Sequence, residues 1–274
     1  SVQKRVETLN NFVISAEEDI ERSLYISGFR IIFLFEERII ESGTYIDDVE
    51  TRFEEAFYDG RWYGEEQQIL FGVTYDDIED SMKTKANTLG ADISFSNSSF
   101  EVTQVDPWNV NVRLTLTFVA EDLSNLVKWN RTYTSEALIP LENFADPIYL
   151  IGTNSLVTTN ITETPYADFV QGSDVSNLFN HLENQFYIAN ADAPSFIKRL
   201  EGNFSADANG IESLVDLGAL ASLGLDVEDK SVIDHVYFSS SNPAACAVSP
   251  AGMPSWFKLD SAHTSVYEVS CIIP

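Results

Sequence analysis

Apolar residues at Val2, Val6, Leu9, Val13, Ala16, Ile20 and Leu24, continued by Ile31 and Leu34, recur at gaps of mostly three and four. Charged residues fill the gaps: Lys4-Arg5, Glu7, Glu17-Glu18-Asp19 and Glu21-Arg22. A stripe of that period is one face of a long amphipathic helix. It is expected to run to about Glu41, with Gly43 as the stop beyond its end. A second helix places Tyr45, Val49, Phe53 and Phe57 on one face and ends at Asp59-Gly60, and the short connection predicts an antiparallel helical hairpin. That second helix is too short to cover the seam of the first. The N-terminal half is therefore expected to project as a stalk, pairing with another molecule or lying next to a membrane. A third helix is expected to open at Thr74, a good N-cap residue, to use Ile78, Met82, Ala86 and Leu89 as its inner face, and to stop at Gly90.

The period then changes from helical to alternating. Ile93 and Phe95, then Phe100, Val102 and Val105, suggest short strands. Val110, Val112, Leu114, Leu116 and Phe118 alternate strictly with Asn111, Arg113, Thr115 and Thr117, the signature of an antiparallel strand with one buried face. Leu126 to Ile139 is another extended stretch, with a turn from Glu121 to Asn125 before it and Asp106-Pro107 ahead of the strong strand. Residues 74–140 thus read as a helix laid across an antiparallel meander. Asp146-Pro147 breaks the pattern. In the last third, Ser173 to Phe186 and the stretch Ile211 to Leu220 read as helices. Val232, His235 to Phe238 and Trp256 to Leu259 read as strands, and Val266 to Ile273 as an apolar end that docks on the core. The fold class expected is α+β in three parts: a helical stem and hairpin over 1–60, an antiparallel sheet unit over 61–150, and a mixed α/β C-terminal region over 151–274.

Charge narrows the partners. The 274-residue chain carries 43 acidic and 16 basic side chains, a net charge of −27. Such a surface repels phosphate backbones, which argues against nucleic acid as a partner. The acidity fits either a soluble, aggregation-resistant surface or adaptation to high salt, where cations screen the self-repulsion. No apolar run approaches the roughly 20 residues that span a bilayer. Membrane contact is expected only through a segment absent from this chain. The two cysteines, Cys246 and Cys271, are expected to form a disulfide that ties down the C-terminal segment. Four N-glycosylation sequons begin at Asn97, Asn130, Asn160 and Asn203 and are compatible with export. Both features point to the cell surface or beyond.

Catalytic signatures are absent: there is no G-x-S-x-G, P-loop, G-x-G-x-x-G, H-E-x-x-H or C-x-x-C. Three histidines, His181, His235 and His263, are too scattered for a spaced motif. Asp234 beside His235 and Asp260 three before His263 supply the carboxylates a zinc site would use, although hydrogen-bonded or exposed histidines are the simpler reading. The segment from Ser205 to Asp216 partly follows a twelve-residue calcium loop. Ser205, Asp207, Asn209 and Asp216 are the ligand candidates, with Gly210 at the sixth place and Glu212 where an apolar residue is usual. The simpler reading of that segment is an Asn-Gly turn; no cofactor is expected, calcium at that segment being the one candidate.

Glu21-Arg22-Ser23-Leu24 on the long helix, Asp106-Pro107-Trp108, Asp146-Pro147-Ile148-Tyr149 and Trp256-Phe257-Lys258-Leu259-Asp260 together resemble uncharacterised archaeal membrane-anchored cell-surface ectodomains, some of them type IV pilin-like. A helical stem before an antiparallel sheet is similar to pilin organisation. The resemblance implies a non-enzymatic, surface or filament-associated structural or adhesion protein, whose partners are other surface proteins or itself through the N-terminal helix. A ligand-sensing or solute-binding ectodomain is the alternative, and a secreted hydrolase a more distant one.

Overall fold

A computed structural model describes residues 2–249 and 252–272. The chain divides into two compact units: residues 1–35, 48–105 and 109–140 form the first, and residues 36–47, 106–108 and 141–274 the second. The fold is α+β, as the change of period predicts. Among the described residues no helix is long and apolar enough to cross a membrane.

Helix α1 (Val2–Ser42), which belongs to the first unit through Phe35, is followed by α2 (Val49–Asp59), which Asp48 caps by accepting from the Thr51 amide. The two-residue strands β1 (Arg61–Trp62) and β2 (Glu65–Glu66) pair antiparallel. Helix α3 (Tyr75–Thr88) opens with a capping box: Thr74 and Asp77 satisfy each other's amides, leaving fewer bare N–H groups in the first turn. Strands β3 (Ala91–Asp106), β4 (Asn109–Asp122) and β5 (Lys128–Pro140) form a three-stranded sheet in that order. β4 and β5 are antiparallel in a register that sets Val110 opposite Ile139 and Glu121 opposite Lys128. The predicted alternation is observed along most of β4: Val110, Val112, Leu114, Leu116 and Phe118 are buried, while Thr115 and Thr117 pair with Thr134 and Thr132 on the other face; Asn111, expected on the polar face, is buried as well.

The N-terminal half of α1 does not project. Leu9, Phe12, Val13, Ala16 and Ile20 are all buried. The helix is also tied down by charge. Arg5 bonds Asp122 and donates to the carbonyls of Leu89 and Gly90, Glu17 pairs with Arg131 at 3.2 Å, and Asp19 pairs with Lys85. At Gly28 the backbone comes so close to the sheet that an added Cβ would lie 3.1 Å from the Ile139 side chain and 3.2 Å from Val112. The seam of α1 is therefore a core face. A three-and-four spacing looks the same whether the surface it meets is a helix or a sheet.

The second unit is built from short elements. These are α4 (Pro147–Gly152), α5 (Ser176–Glu183), β6 (Tyr187–Ala189), α6 (Phe196–Leu200), β7 (Ile211–Ser213), α7 (Leu217–Ser222), α8 (Asp234–Tyr237), β8 (Ala245–Ser249), β9 (Lys258–Asp260) and β10 (Ser270–Cys271). β6 pairs with β7, and β8 lies between β9 and β10, all antiparallel. Two expectations change here. Ile211 to Leu220 is a strand followed by a helix, because Asp216 caps α7 and ends the extended run. His235 to Phe238, rich in strand-forming residues, instead contributes to the single turn α8, in which the Tyr237 amide donates to the Ile233 carbonyl. Tyr149, Leu178, Leu214, Ile233, Phe257 and Tyr267 are among the buried residues of this unit's core. Cys246 and Cys271 are bonded, with Cα atoms 5.5 Å apart. A loop of this length contributes about 3–4 kcal/mol in the chain-entropy account.

Candidate functional site

Buried polar side chains cluster in the second unit. Three stretches of chain run side by side to make this possible. Leu214 bridges Ile233, the Val215 amide donates to the Val232 carbonyl, and the Val232 amide donates to the Lys258 carbonyl. β7, the 231–235 segment and β9 are thereby stitched together, which gathers Glu212, Asp234, His235 and Asp260, far apart in sequence, into one region. The turn into β7 is tight: a Cβ on Gly210 would fall 2.0 Å from the Ala193 carbonyl oxygen, so no larger residue fits. The glycine that resembled the sixth place of a calcium loop is thus required by a close backbone approach.

At the centre is Arg199 on α6, wholly buried. Its guanidinium reaches Asp146 Oδ2 at 2.6 Å, Asp234 at 3.0 and 3.2 Å, and the Pro194 and Ile211 carbonyls. Tyr187 donates to Asp146 at 2.8 Å, and Ser213 donates to Asp234 through both its amide and its hydroxyl. Burial works against both carboxylates. Arg199 and His235 nevertheless hold Asp234 well below the usual carboxylate range. Asp146, with fewer charged neighbours in its favour and Asp234 close by, is pushed up.

Beside this pair is a second group. His235 Nδ1 lies 3.2 Å from Asp234 Oδ1, and His263 Nδ1 lies 2.8 and 2.9 Å from the two oxygens of Asp260. Asp260 is itself fixed by the Ser231 hydroxyl at 2.7 Å. Each imidazole is therefore oriented by a carboxylate on one nitrogen. The other nitrogen of His263, Nε2, is 3.3 Å from Glu212 Oε2 without hydrogen-bond alignment. Asn190 donates to Glu212 Oε2 at 2.9 Å, whereas Glu212 Oε1 and the Tyr267 hydroxyl are buried without hydrogen-bond partners. Glu212, His235 and His263 each offer a ligand atom within 4.8 Å of the others'. Burial disfavours charge on His263, but Asp260 and Glu212 outweigh it and hold the imidazole up at about 10.

Of the residues singled out in the sequence, His235 and His263 come together, each hydrogen-bonded to a carboxylate, Asp234 and Asp260. His181 lies apart from that group, its Nδ1 on the Thr164 hydroxyl at 3.0 Å. Burial pushes His181 down to about 4. In the segment read as a calcium loop, Asp207 faces Lys198 at 3.3 Å and accepts from the Asn209 amide. Ser205 donates its amide to Asn203, and Asp216 caps α7 through the Ala219 amide. All four sequon asparagines, Asn97, Asn130, Asn160 and Asn203, are exposed. Sequence reasoning missed Arg199, Tyr187 and Ser213, and it counted Glu212 only as an irregular loop position. Nothing near Arg199 or Glu212 in the sequence marks them out. No family model matches the chain, and no curated protein or solved structure is significantly similar to it.

Proposed function

We propose that this chain is the exported part of a cell-surface protein with a non-enzymatic, structural or adhesive role, and that it meets a second copy of itself through the outer face of α1. One observation carries the reading. Tyr25, Ile26, Phe29 and Phe33 are 38 to 43% exposed on a helix whose opposite face is buried in the first unit. Ile26, Phe29 and Phe33 fall at i, i+3 and i+7, a single line along the helix. A contiguous apolar line on an otherwise acidic surface marks a contact site, and a two-fold pairing would cover both copies' lines at once. The disulfide and the four exposed sequons support the extracellular setting.

With a net charge of −27, two copies repel each other at low salt. Association and melting temperature should both rise as NaCl goes from low to molar levels. Sedimentation velocity of the full chain tests this. A dimer that strengthens with salt and is lost in Phe29→Glu and Phe33→Glu supports the reading. A monomer at every salt and protein concentration, or a dimer those variants leave intact, overturns it.

A second reading rests on a different feature of the same unit. A groove of about 710 Å³ is lined by Glu18, Glu21, Arg22, Tyr25, Glu136, Ala137 and Leu138. Its size suits a small polar or cationic solute, as a ligand-sensing ectodomain would require. A solute that raises the melting temperature of the wild type but not of Tyr25→Ala would favour sensing. No such solute in a screen of cationic and polyol compounds would sink it.

A further inference from the structure

The geometry points to a divalent transition-metal site, best suited to zinc, formed by Glu212, His235 and His263. The donor set comes first. Two imidazoles and one carboxylate are the nitrogen and oxygen ligands that zinc and its neighbours take, and calcium, which selects oxygen alone, does not. The donors also come from three separate stretches: β7, α8 and the turn after β9. One ion would therefore cross-link segments that the backbone ladder only places side by side.

The separations fit an ion at the centre. Metal–nitrogen and metal–oxygen bonds to zinc are about 2.0–2.1 Å, and two such arms at a tetrahedral angle leave the donor atoms about 3.3–3.4 Å apart. His263 Nε2 and Glu212 Oε2 are 3.3 Å apart and are not aligned as a hydrogen bond. When the imidazole is protonated these two atoms form an ion pair, and a metal ion would take the place of the proton between them, with both as co-ligands. The His235 and His263 rings are 5.6 Å apart between centroids, inclined at 68°, so the third donor belongs to the same small space.

The surroundings are those of a ligand shell. Metal-binding histidines generally give their other nitrogen to a carboxylate, which fixes the ring and raises its basicity. Both histidines do so here: His235 to Asp234 and His263 to Asp260. Asp234 and Asp260 are in turn tied to Ser213 and Ser231. An independent sign is a poorly satisfied polar atom. Glu212 is wholly buried, and its Oε1 makes no well-aligned hydrogen bond, although the Tyr267 hydroxyl interacts with this carboxylate. A buried carboxylate oxygen so poorly satisfied is unfavourable, and a cation would satisfy it. His235 and His263 are 7% and 5% exposed, so the site is screened from solvent, and three protein donors leave one tetrahedral position for a further ligand.

The test uses the full chain, stripped of metal by chelation and checked for native folding by circular dichroism. Cobalt(II) is then titrated in, with excess magnesium present to occupy surface carboxylates. The expected result is one equivalent of cobalt with the intense visible absorption of a low-coordinate ion, displaced by one equivalent of zinc, and a higher melting temperature on loading. His235→Gln and His263→Gln should lose the ion on desalting. Asp260→Asn, which weakens the support of His263 without removing a ligand, should weaken binding about 10- to 100-fold, and His181→Asn should bind normally. A folded wild-type chain that leaves cobalt with the pale spectrum of the free aquo ion overturns the site. So does stoichiometric, low-coordinate metal that persists in His235→Gln or His263→Gln. The wild-type titration decides even where a variant fails to fold.

Discussion

Arg199 Nη1 donates to Asp146 Oδ2 at 2.6 Å, and neither side chain reaches solvent. The same nitrogen also reaches Asp234, 88 residues further along the chain than Asp146, so one guanidinium holds two buried carboxylates from distant segments. Desolvating three charged groups is unfavourable in itself. Only the close fork geometry and the added donors from Ser213 and Tyr187 offset that cost.

Removing the arginine should therefore cost far more than a surface pair would. Arg199→Met leaves two carboxylates buried without a cation, and the expected loss is about 3–5 kcal/mol or more. Lys cannot reproduce the fork and should recover only part of it. The carboxylates should differ. Asp234 accepts from Arg199, Ser213 and His235 and stays ionised, whereas burial already pushes Asp146 toward its neutral form. Asp146→Asn should accordingly be milder than Asp234→Asn in urea unfolding. Equal losses, or an Arg199→Met protein as stable as the wild type, would mean that the network holds nothing together.

The N-terminal segment of α1 should behave as core. Phe12 is 5% exposed, and replacing a buried Phe by Ala costs about 3–5 kcal/mol. Phe12→Ala should lower the melting temperature of the first unit. Deleting residues 1–19 should go further, exposing the sheet residues that Leu9, Val13 and Ala16 help to bury. Limited proteolysis of the deletion should then cut within β3 to β5. If the truncated chain melts like the intact one and resists protease equally, the segment is a stalk after all.

That contrast shows what the sequence could and could not reveal. The extent of α1 was legible because its apolar positions keep one period from Val2 to Leu34. What the seam packs against was not, since a sheet and a second helix ask for the same stripe. β4 was legible because its alternation is strict. α8 was not: His235-Val236-Tyr237-Phe238 favours a strand, and a tertiary demand that Asp234 and His235 face the buried polar cluster outweighs local preference in so short a piece. The Asp234–His235 and Asp260–His263 pairings were readable as adjacent letters. Glu212 and Arg199 were not, because their partners lie dozens of residues away and nothing near them in the chain marks them out.

The second unit also holds two groups that burial shifts in opposite directions, and their effects on stability should nearly cancel. Glu36 accepts from the Ala145 amide, which favours its charged form, but burial outweighs this and raises the carboxyl from 4.5 to about 7. A carboxyl raised in the folded state binds its proton more tightly there than in the unfolded chain. It therefore favours folding below pH 4.5, and that support is lost as pH rises toward 7. Burial lowers His181 from 6.5 to about 4. Here the unfolded chain binds the proton more tightly, so support is full above pH 6.5 and is lost as pH falls toward 4. At about 1.4 kcal/mol per tenfold change in proton affinity, each contributes about 3 kcal/mol over nearly the same range. Glu36→Gln should raise stability at pH 8 and make the protein more sensitive to acid than the wild type between pH 6.5 and 4. His181→Asn should do the reverse, losing stability relative to its own acid value as pH climbs from 4.5 to 7. Urea midpoints taken at half-unit pH steps for the three proteins decide the matter. Parallel curves would mean that neither group titrates as its burial demands.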